Sequence, residues 1–495
     1  MKLPASLRIV WTVFLIGPVV STVEAQTNAA GGPWVYRLLA GSYLIDDCLP
    51  CARPTFMLPM QGSFTLILTE DNPLLARYEL RDLSFVAASP GAAPYRLAGQ
   101  GTWTMGGEVA VLQDMTIQVE LTDPADLTTN KVFTNDVRSV DRAWPIIDIH
   151  LVQTDTNLFR FYSLHLLAAP LREIWFSTAG GLTASKWQSP TNRVSAGDLI
   201  SDSGRVVRSS GALLARLGIM PGFPDLGIDA VDIAPGGEIL FSLNQDIFSE
   251  TLGPIHHGDL LTDRGAIFRS NQELLAAFGP ADTNVDYGLD AVHVMTNGEI
   301  CFSITTNLVS PQVGMLFRGD VLSNSGRLIK SHQQLLARFH PGTVDRDYGL
   351  DALYIWPNGE FWFSTEDGFN DLQLGPILAG DLLSDQGFIV FRNLELVSAF
   401  APLEDVSDFG LDALYLVSDA TPPASAPRIL SVQRVAQSGA IALQWDGNGR
   451  AFQLEKANAL PGPFSPASPI LPDLGWIDFG ATQTNGAGFY RVRQW

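Results

Sequence analysis

Hydrophobic and polar residues alternate along most of this chain, a pattern typical of β-strands with one buried face. Between residues 115 and 121, for example, Met, Ile, Val and Leu alternate with Thr, Gln and Glu. About seven such segments, bounded by Gly, Pro and Asn, fit between residues 27 and 165. The pattern predicts an all-β protein whose N-terminal part, residues 27–165, is a β-sandwich-like domain.

From residue 171 to 418 the pattern recurs with a period of 61 residues. The tetrapeptide Gly-Ile/Leu-Asp-Ala begins at residues 227, 288, 349 and 410, and Gly-Asp begins at residues 197, 258, 319 and 380. A fixed period over four copies indicates a repeat architecture.

Each repeat unit reads as two hairpins and a short helical insert. Asn297-Gly298 lies between two apolar alternating runs, a strong hairpin signal, and both turn residues are expected at positive φ. The apolar spacing at residues 274, 275 and 278 fits one or two helical turns. The predicted strands of a unit are 259–262, 266–269, 290–296 and 299–304.

The two ends of the repeat array complement each other. The fourth unit ends with the run 411–417 and lacks the returning strand of its hairpin, whereas residues 172–177 match the returning strand 359–364. Pairing 411–417 with 173–177 would close a ring without an unpaired edge. This predicts a four-bladed β-propeller. The alternative is an open row of stacked modules, which needs end units with a polar outer face, and none is evident.

The C-terminal part has a composition of its own. Residues 419–427, Asp-Ala-Thr-Pro-Pro-Ala-Ser-Ala-Pro, form a Pro-rich linker. The two or three strand-like runs in residues 428–495 predict a small β-sandwich.

The first 25 residues have the three parts of a secretory signal. Lys2 and Arg8 flank the start of an apolar run from Ile9 to Val20, and Val23-Glu24-Ala25 offers small residues for cleavage. A membrane anchor is the alternative, but the run is short for a span of about 20 residues. We expect an exported protein, secreted, periplasmic or at the cell surface, with no membrane span after cleavage.

The formal net charge is −21 and the sequence pI is about 4.6. Such a field repels phosphate backbones, so nucleic acid is excluded as a partner, and it suits cation binding.

The three cysteines are too few for a disulfide scaffold. Cys48 and Cys51 are spaced for a local disulfide in an oxidising compartment, whereas the context of a redox helix or a second pair of zinc ligands is missing. Cys301 has Leu240 and Trp362 as its register partners, which predicts a buried strand position.

The candidate binding residues are aspartates that recur in every repeat. A phrase Asp-x-Gly-x-Asp occurs in each unit, a further Asp follows the Gly of Gly-Asp, and Asp202, Asp263, Asn324 and Asp385 come four residues later. Two interpretations stay open. The side chains cap turns by accepting backbone N–H bonds, which we favour, or they bind calcium together with carbonyls and water. The residues of the repeated phrase are Asp225, Asp229, Asp286, Asp290, Asp347, Asp351, Asp408 and Asp412.

Two parts of the chain resemble known groups of proteins. The C-terminal runs 441–445 and 452–457, with the closing Phe-Tyr-Arg-Val-Arg at 489–493, resemble fibronectin-III-like modules of secreted bacterial proteins. This likeness implies a β-sandwich without activity, although Pro463-Phe464 stands where such modules usually carry Trp. The phrases Asp351-Ala352-Leu353, Asn358-Gly359-Glu360 and Phe363-Ser364 resemble Asp-Ala-rich repeats of secreted bacterial proteins, a group without an assigned role.

No catalytic motif is present, since neither a nucleophile with a base nor a phosphate loop can be assigned. We therefore expect a non-enzymatic β-repeat protein that binds a glycan or a protein. The alternatives are a purely structural surface component and a secreted polysaccharide hydrolase using paired acids on the propeller face. Polar residues unique to one unit, such as His256-His257 and Glu366-Asp367, would favour a functional face if they lie together. No cofactor is expected other than calcium under the second interpretation of the aspartates.

Overall fold

The computed structural model describes residues 33–495 except 49, 109, 156–158, 188–191, 221–224, 283, 344, 437 and 481–487. Before residue 33 it describes only the paired strands β1 (Phe14–Ile16) and β2 (Val19–Ser21). The remainder of the predicted signal segment 1–25 lies outside the described residues. The chain forms two compact units, one of residues 31–232 and 240–420 and one of residues 1–30, 233–239 and 421–495.

The structure confirms the all-β prediction. Every element in the described ranges is a strand, apart from four short α-helices and two 3₁₀ turns. The alternation at residues 112–122 has the expected cause, because Met115, Ile117, Val119 and Leu121 are buried while Gln118 and Glu120 face solvent.

The N-terminal strands belong to a single sheet of ten strands that returns on itself, because β8 pairs with both β7 and β9. The strands expected in the N-terminal part are present, but one continuous sheet replaces the two sheets of a sandwich. Its interior is filled by apolar side chains, among them Tyr36, Phe64, Trp103 and Phe133. The strands are β3 (Trp34–Leu38), β4 (Tyr43–Asp47), β5 (Phe56–Asn72), β6 (Leu75–Ala87), β7 (Tyr95–Gly106), β8 (Leu112–Thr122), β9 (Thr128–Thr134), β10 (Arg138–Ser139), β11 (Ile147–Gln153) and β12 (Phe161–Ala169).

The repeat region contains four four-stranded antiparallel sheets. The two predicted hairpins of each unit supply these strands. Sheet 1 is β18 (Val231–Ala234), β19 (Glu238–Phe241), β22 (Leu260–Thr262) and β23 (Ala266–Arg269); sheet 2 is β24 (Val292–Val294), β25 (Ile300–Phe302), β28 (Val321–Ser323) and β29 (Arg327–Lys330); sheet 3 is β30 (Ala352–Ile355), β31 (Phe361–Ser364), β34 (Leu382–Ser384) and β35 (Phe388–Phe391); sheet 4 is β36 (Ala413–Ser418), β13 (Leu171–Ser177), β16 (Leu199–Ser201) and β17 (Arg205–Arg208).

Sheet 4 is assembled from both ends of the array. Strand β36 pairs with β13 in the register Ala413↔Ser177 to Val417↔Glu173. The strand that we predicted to complete the last unit therefore does so.

Four buried hydrogen bonds connect the sheets in a cycle. In each sheet a serine at the end of the second strand donates its hydroxyl hydrogen to a carbonyl oxygen just before the first strand of the next sheet. The fourth bond returns to sheet 1. The four pairs are Ser177 with Ile228 (2.9 Å), Ser242 with Leu289 (3.0 Å), Ser303 with Leu350 (3.0 Å) and Ser364 with Leu411 (2.8 Å).

The turns of the first hairpins differ from the expectation at one residue. Gly298 and Gly359 have φ of 85° and 83°, whereas neither Asn297 nor Asn358 has positive φ. The Asn297 side chain instead accepts a hydrogen bond from the Glu299 N–H (2.9 Å), which favours a turn with only the glycine in the left-handed region. The expectation of two positive φ values was wrong for these Asn-Gly turns.

The predicted helical insert is present in every unit. Ser209, Ser270 and Ser331 cap the first three helices, each accepting a backbone N–H three residues later. The sequence did not predict the two-stranded ribbons in the longer connections. The helical elements are α1 (Ser210–Leu214), α2 (Asn271–Leu275) followed by a 3₁₀ turn at Ala276–Phe278, α3 (His332–Leu335), and α4 (Asn393–Val397) followed by a 3₁₀ turn at Ser398–Phe400. The ribbons are β14 (Leu182–Thr183) with β15 (Arg193–Val194), β20 (Ile247–Ser249) with β21 (Gly253–Ile255), β26 (Leu308–Ser310) with β27 (Gly314–Leu316), and β32 (Phe369–Asp371) with β33 (Gly375–Ile377).

Besides its own core, the N-terminal sheet contributes to a buried cluster that it shares with the repeats. Leu39, Ile146 and Leu167 of the N-terminal part belong to the same buried cluster as Ile174 and Phe176 of sheet 4. The predicted boundary between 165 and 171 separates two sheets within one compact unit.

In the compact unit formed by residues 1–30, 233–239 and 421–495, two three-stranded sheets enclose a small core that includes Leu443, Trp445, Phe452 and Val492. The Gly236 N–H of the segment 233–239 donates to the Gly449 carbonyl oxygen (2.8 Å). The strands are β37 (Arg428–Arg434), β38 (Ile441–Asp446), β39 (Phe452–Ala457), β40 (Ser465–Pro466), β41 (Gly475–Asp478) and β42 (Phe489–Gln494).

Candidate functional site

The recurring aspartates separate into four sets with different surroundings. The first set follows Gly in Gly-Asp and joins a turn to the helix of its own unit. In the third copy, Asp320 accepts the Phe317 N–H at Oδ2 (2.9 Å) and the His332 N–H at Oδ1 (2.8 Å). Asp198, Asp259 and Asp381 make the equivalent pair of bonds. This set is structural.

The second set lies four residues later and supports the neighbouring strand of its sheet. Asp202, Asn324 and Asp385 accept the backbone N–H of Ile174, Ile300 and Phe361 at 3.0, 3.1 and 3.1 Å. The Asn in the third copy is thereby explained, because an amide oxygen accepts this bond as well as a carboxylate does.

The third set is the first Asp of the repeated phrase, and it caps the turn that leads into the first strand of each sheet. The N–H groups of Gly227, Gly288, Gly349 and Gly410 donate to Oδ1 of Asp225, Asp286, Asp347 and Asp408 at 3.3, 2.8, 3.0 and 3.1 Å. Asp225 and Asp408 also accept from Gly197 and Gly380. These are the side-chain to backbone bonds of the cap interpretation.

The fourth set is the second Asp of the phrase, and its carboxylates behave differently. Asp229, Asp290, Asp351 and Asp412 stand one or two residues before the first strand of each sheet. We call these four residues the aspartate ring. Asp229, Asp290 and Asp412 are buried, with 8%, 5% and 5% of their surface exposed. No group in the described part of the chain donates a hydrogen bond to a carboxylate of the ring, and Oδ2 of Asp290 is fully buried without a partner.

Burial and mutual repulsion raise the pKa of the carboxyl groups in the ring. Burial raises the pKa of Asp229 to about 6 and that of Asp412 to about 8. The pKa values of Asp290 and Asp351 are raised well above the ordinary range, first by burial and then by the other carboxylates of the ring. Each ring residue directly follows the residue whose carbonyl oxygen accepts a bond of the serine cycle, which places the four aspartates at equivalent points of the four sheets.

Polar residues unique to single units border the ring. Glu366 raises the pKa of Asp229, Asp290 and Asp351, whereas Arg318 lowers the pKa of Asp290 and His257 lowers that of Asp229. Arg318 forms an ion pair with Glu366 and a second one with Asp367 at 2.8 Å. His257 Nδ1 lies 2.9 Å from Asp246 Oδ1. We call Glu366, Arg318 and His257 the rim.

The rim is one-sided. The position that carries His257 and Arg318 in two units is alanine at 196 and 379 in the other two. Glu366 packs against Gly349 of its repeated phrase. At the equivalent places, Ala179 packs against Gly410, Asn244 against Gly227 and Thr305 against Gly288. The ring is therefore nearly symmetric, whereas the rim distinguishes one side of it from the other.

The ring does not form a ready-made metal site. Within the ranges described above, no three His, Cys, Asp or Glu side chains converge closely enough to ligate one ion directly. The carboxylates are too far apart for that in this arrangement, so an ion at the ring would need water or a rotation of side chains to complete its ligands.

The cysteines lie away from the ring. Cys48 and Cys51 are joined by a disulfide, with their Cα atoms 5.3 Å apart, at the end of β4. Cys301 is buried in β25, opposite His293 and Ser323, and burial raises the pKa of its thiol to about 12.

Comparison with known proteins assigns no family. No family model and no curated protein matches the chain. One solved structure, the extracellular domain of a protein described as a one component system from B. thetaiotaomicron, aligns over 94% of this chain and 85% of that chain. The identity is 8% and the TM-score is 0.18, so the likeness supports no conclusion about fold or function.

In the described ranges, the helices are too short to cross a membrane.

Sequence reasoning named all four ring residues but did not separate them from the caps. Both Asp positions of the phrase recur equally, so periodicity alone cannot tell an engaged carboxylate from an unpartnered one. Arg318 was missed, although a comparison of units at the position before Gly-Asp, which reads Ala, His, Arg, Ala, would have found it.

Proposed function

We propose that this is an exported, non-enzymatic binding protein in which the four repeat sheets are the blades of a closed β-propeller. Its binding face is the end where the aspartate ring and the rim meet. The closure of sheet 4 by β13 and the cycle of four serine hydrogen bonds support the propeller, because an open row of modules would not return to its first member.

One observation carries the proposal of binding. All four repeats contribute the same carboxylate at the same point, and none of the four has a hydrogen-bond donor within the described chain. Buried polar groups are normally partnered, so a set left without partners indicates that a ligand supplies them. A four-fold equivalent arrangement suits a ligand that lies on the axis.

The rim gives this face its selectivity. An Arg–Glu ion pair, a neighbouring Asp and a His lie on one side, whereas the equivalent positions 179, 196 and 379 of the other side carry alanine. We infer that the polar side orients the ligand, which we propose to be a glycan or the exposed loop of a protein.

A polysaccharide hydrolase is the second candidate, and one observation favours it. The pKa of Asp412 is raised to about 8 and that of Asp229 only to about 6, and glycoside hydrolysis needs one protonated and one ionised carboxyl. A binding protein is preferred because all four positions carry the same residue, whereas catalysis needs two acids with distinct partners.

A glycan array and a pull-down from culture supernatant, both with the purified full chain, test the proposal. Arg318→Gln breaks the ion pairs to Glu366 and Asp367 and should weaken capture of the ligand. Arg138→Gln, which removes an exposed Arg of the N-terminal sheet, is the matched control and should leave capture unchanged.

Equal loss in both variants would contradict the assignment of the face. Release of reducing sugar from a polysaccharide by the parent, but not by Asp412→Asn, would replace binding with hydrolysis.

A further inference from the structure

The four carboxylates of the aspartate ring share one environment that the caps lack. The caps at Asp225, Asp286, Asp347 and Asp408 are each engaged by a glycine N–H. The ring carboxylates lie only four residues further along the chain and receive no such bond. The two positions of one phrase therefore serve different purposes.

The charge at the ring is not balanced by the protein. Arg318 is the cation that acts on Asp290, but it is already shared with Glu366 and Asp367. His257 acts on Asp229 and is engaged by Asp246. Asp408 adds a further negative charge near Asp412. The guanidinium of Arg318 is thus shared among three carboxyl groups, and a ring carboxyl that ionises has no cation of its own within the described chain.

The buried oxygen of Asp290 gives the direct indication of a ligand. Its Oδ2 is fully buried and lacks a hydrogen-bond partner, and its residue directly follows Leu289, which takes part in the cycle of serine hydrogen bonds. An unpaired buried carboxylate oxygen costs free energy unless something else in the site binds it.

We propose that the aspartate ring binds one divalent metal cation, held partly through water, and that this cation belongs to the binding face described above. This inference rests on the proposed function. A direct cage is not formed, since no three acidic or His side chains in the described ranges converge on one point. A cation that keeps part of its hydration shell fits such a ring, because its waters span the gap to the carboxylates. Calcium, with its flexible coordination, is the first choice, and magnesium is the second.

Thermal unfolding and calorimetric titration of the full chain test the proposal. After removal of metal with EDTA, calcium chloride and magnesium chloride are added separately at pH 7.5, and sodium chloride at equal ionic strength is the control. We expect the melting temperature to rise with a divalent cation and to stay constant with sodium, because only a specific ligand stabilises the native state by mass action.

Variants separate the ring from the caps. Asp290→Asn and Asp412→Asn keep the shape of the side chain and remove one charge each, so each should weaken the cation affinity at least about ten-fold. Asp136→Asn removes an exposed carboxylate of the N-terminal part and should leave the affinity unchanged. Using two ring variants keeps the test valid if one of them fails to fold.

Three outcomes would overturn the inference. They are no shift with either divalent cation, an equal shift in the parent and both ring variants, or a shift produced by ethylammonium chloride instead of the metals. Failure of this inference is distinguishable from failure of the proposed function. If the ligand is still captured in EDTA and capture is still lost in Arg318→Gln, the binding face stands without its cation.

Discussion

The ring makes a specific prediction about how the stability of the repeats depends on pH. Asp229 has an ordinary pKa of 3.8 that burial raises to about 6 in the folded chain. The native state therefore holds this proton over a pH range where the unfolded state has released it. Stability is retained below the ordinary pKa and is lost as pH rises toward the raised value.

The magnitude follows from the difference between the two pKa values. Each pKa unit corresponds to about 1.4 kcal/mol, so ionisation of Asp229 costs the folded state up to about 3 kcal/mol by pH 7. Asp229→Asn removes the charge and keeps the shape. Relative to the parent, the variant should gain up to about 3 kcal/mol in unfolding free energy between pH 4 and pH 7.

Urea denaturation in EDTA at pH 4, 5, 6, 7 and 8 measures this difference directly. Asp225→Asn is the matched control from the same repeated phrase, and its oxygen can still accept from Gly197 and Gly227. We expect no such gain from the control, because its carboxylate is engaged by backbone donors. A stability difference for Asp229→Asn that is the same at pH 4 and pH 7 would refute the reasoning about the ring.

Three further predictions concern the repeats. Phe176→Ala removes a fully buried phenyl group from β13 and should destabilise the chain by about 3–5 kcal/mol in urea denaturation. A cost below about 1 kcal/mol would count against the role of β13 in completing sheet 4. Cys301 should react with a thiol reagent only in denaturant, because its thiol is buried and its pKa is raised to about 12; rapid labelling of the native chain would contradict this. Asp385→Ala should cost about 2–4 kcal/mol, because it leaves the Phe361 N–H and Lys330 without their partner, and Asp385→Asn should recover part of the loss since Asn occupies the equivalent place at 324.

The sequence predicted the strands of the repeats because each unit supplies the same pattern four times. The two hairpins, the helical insert and the pairing of 173–177 with 411–417 all follow from register and turn residues. The separate ribbons, such as β20 with β21, were not predicted, because three-residue strands are too short to show an alternation.

In the N-terminal part, the sequence could not predict which distant strands pair with each other. The alternation there fixes which face of each strand is buried, but it is the same for two packed sheets and for one sheet that returns on itself. Pairing of β8 with β9, which joins the two ends of the sheet, depends on contacts that no local pattern records.

The sequence also could not show which aspartates of the repeated phrase are caps and which belong to the aspartate ring. Asp225 and Asp229 differ in whether a glycine N–H lies within reach of the carboxylate, and that depends on the backbone of the turn. The preference for caps describes Asp225, Asp286, Asp347 and Asp408, whereas the binding of a cation is kept as a proposal for the other four.

The most direct test of the account is an anomalous difference map from crystals of the full chain grown with Mn²⁺ as the probe cation. The account predicts one peak among the carboxylates of the ring, with waters between the ion and the Asp side chains. A peak beside a cap such as Asp225, or no peak in the repeat region of a fully occupied crystal, would contradict it.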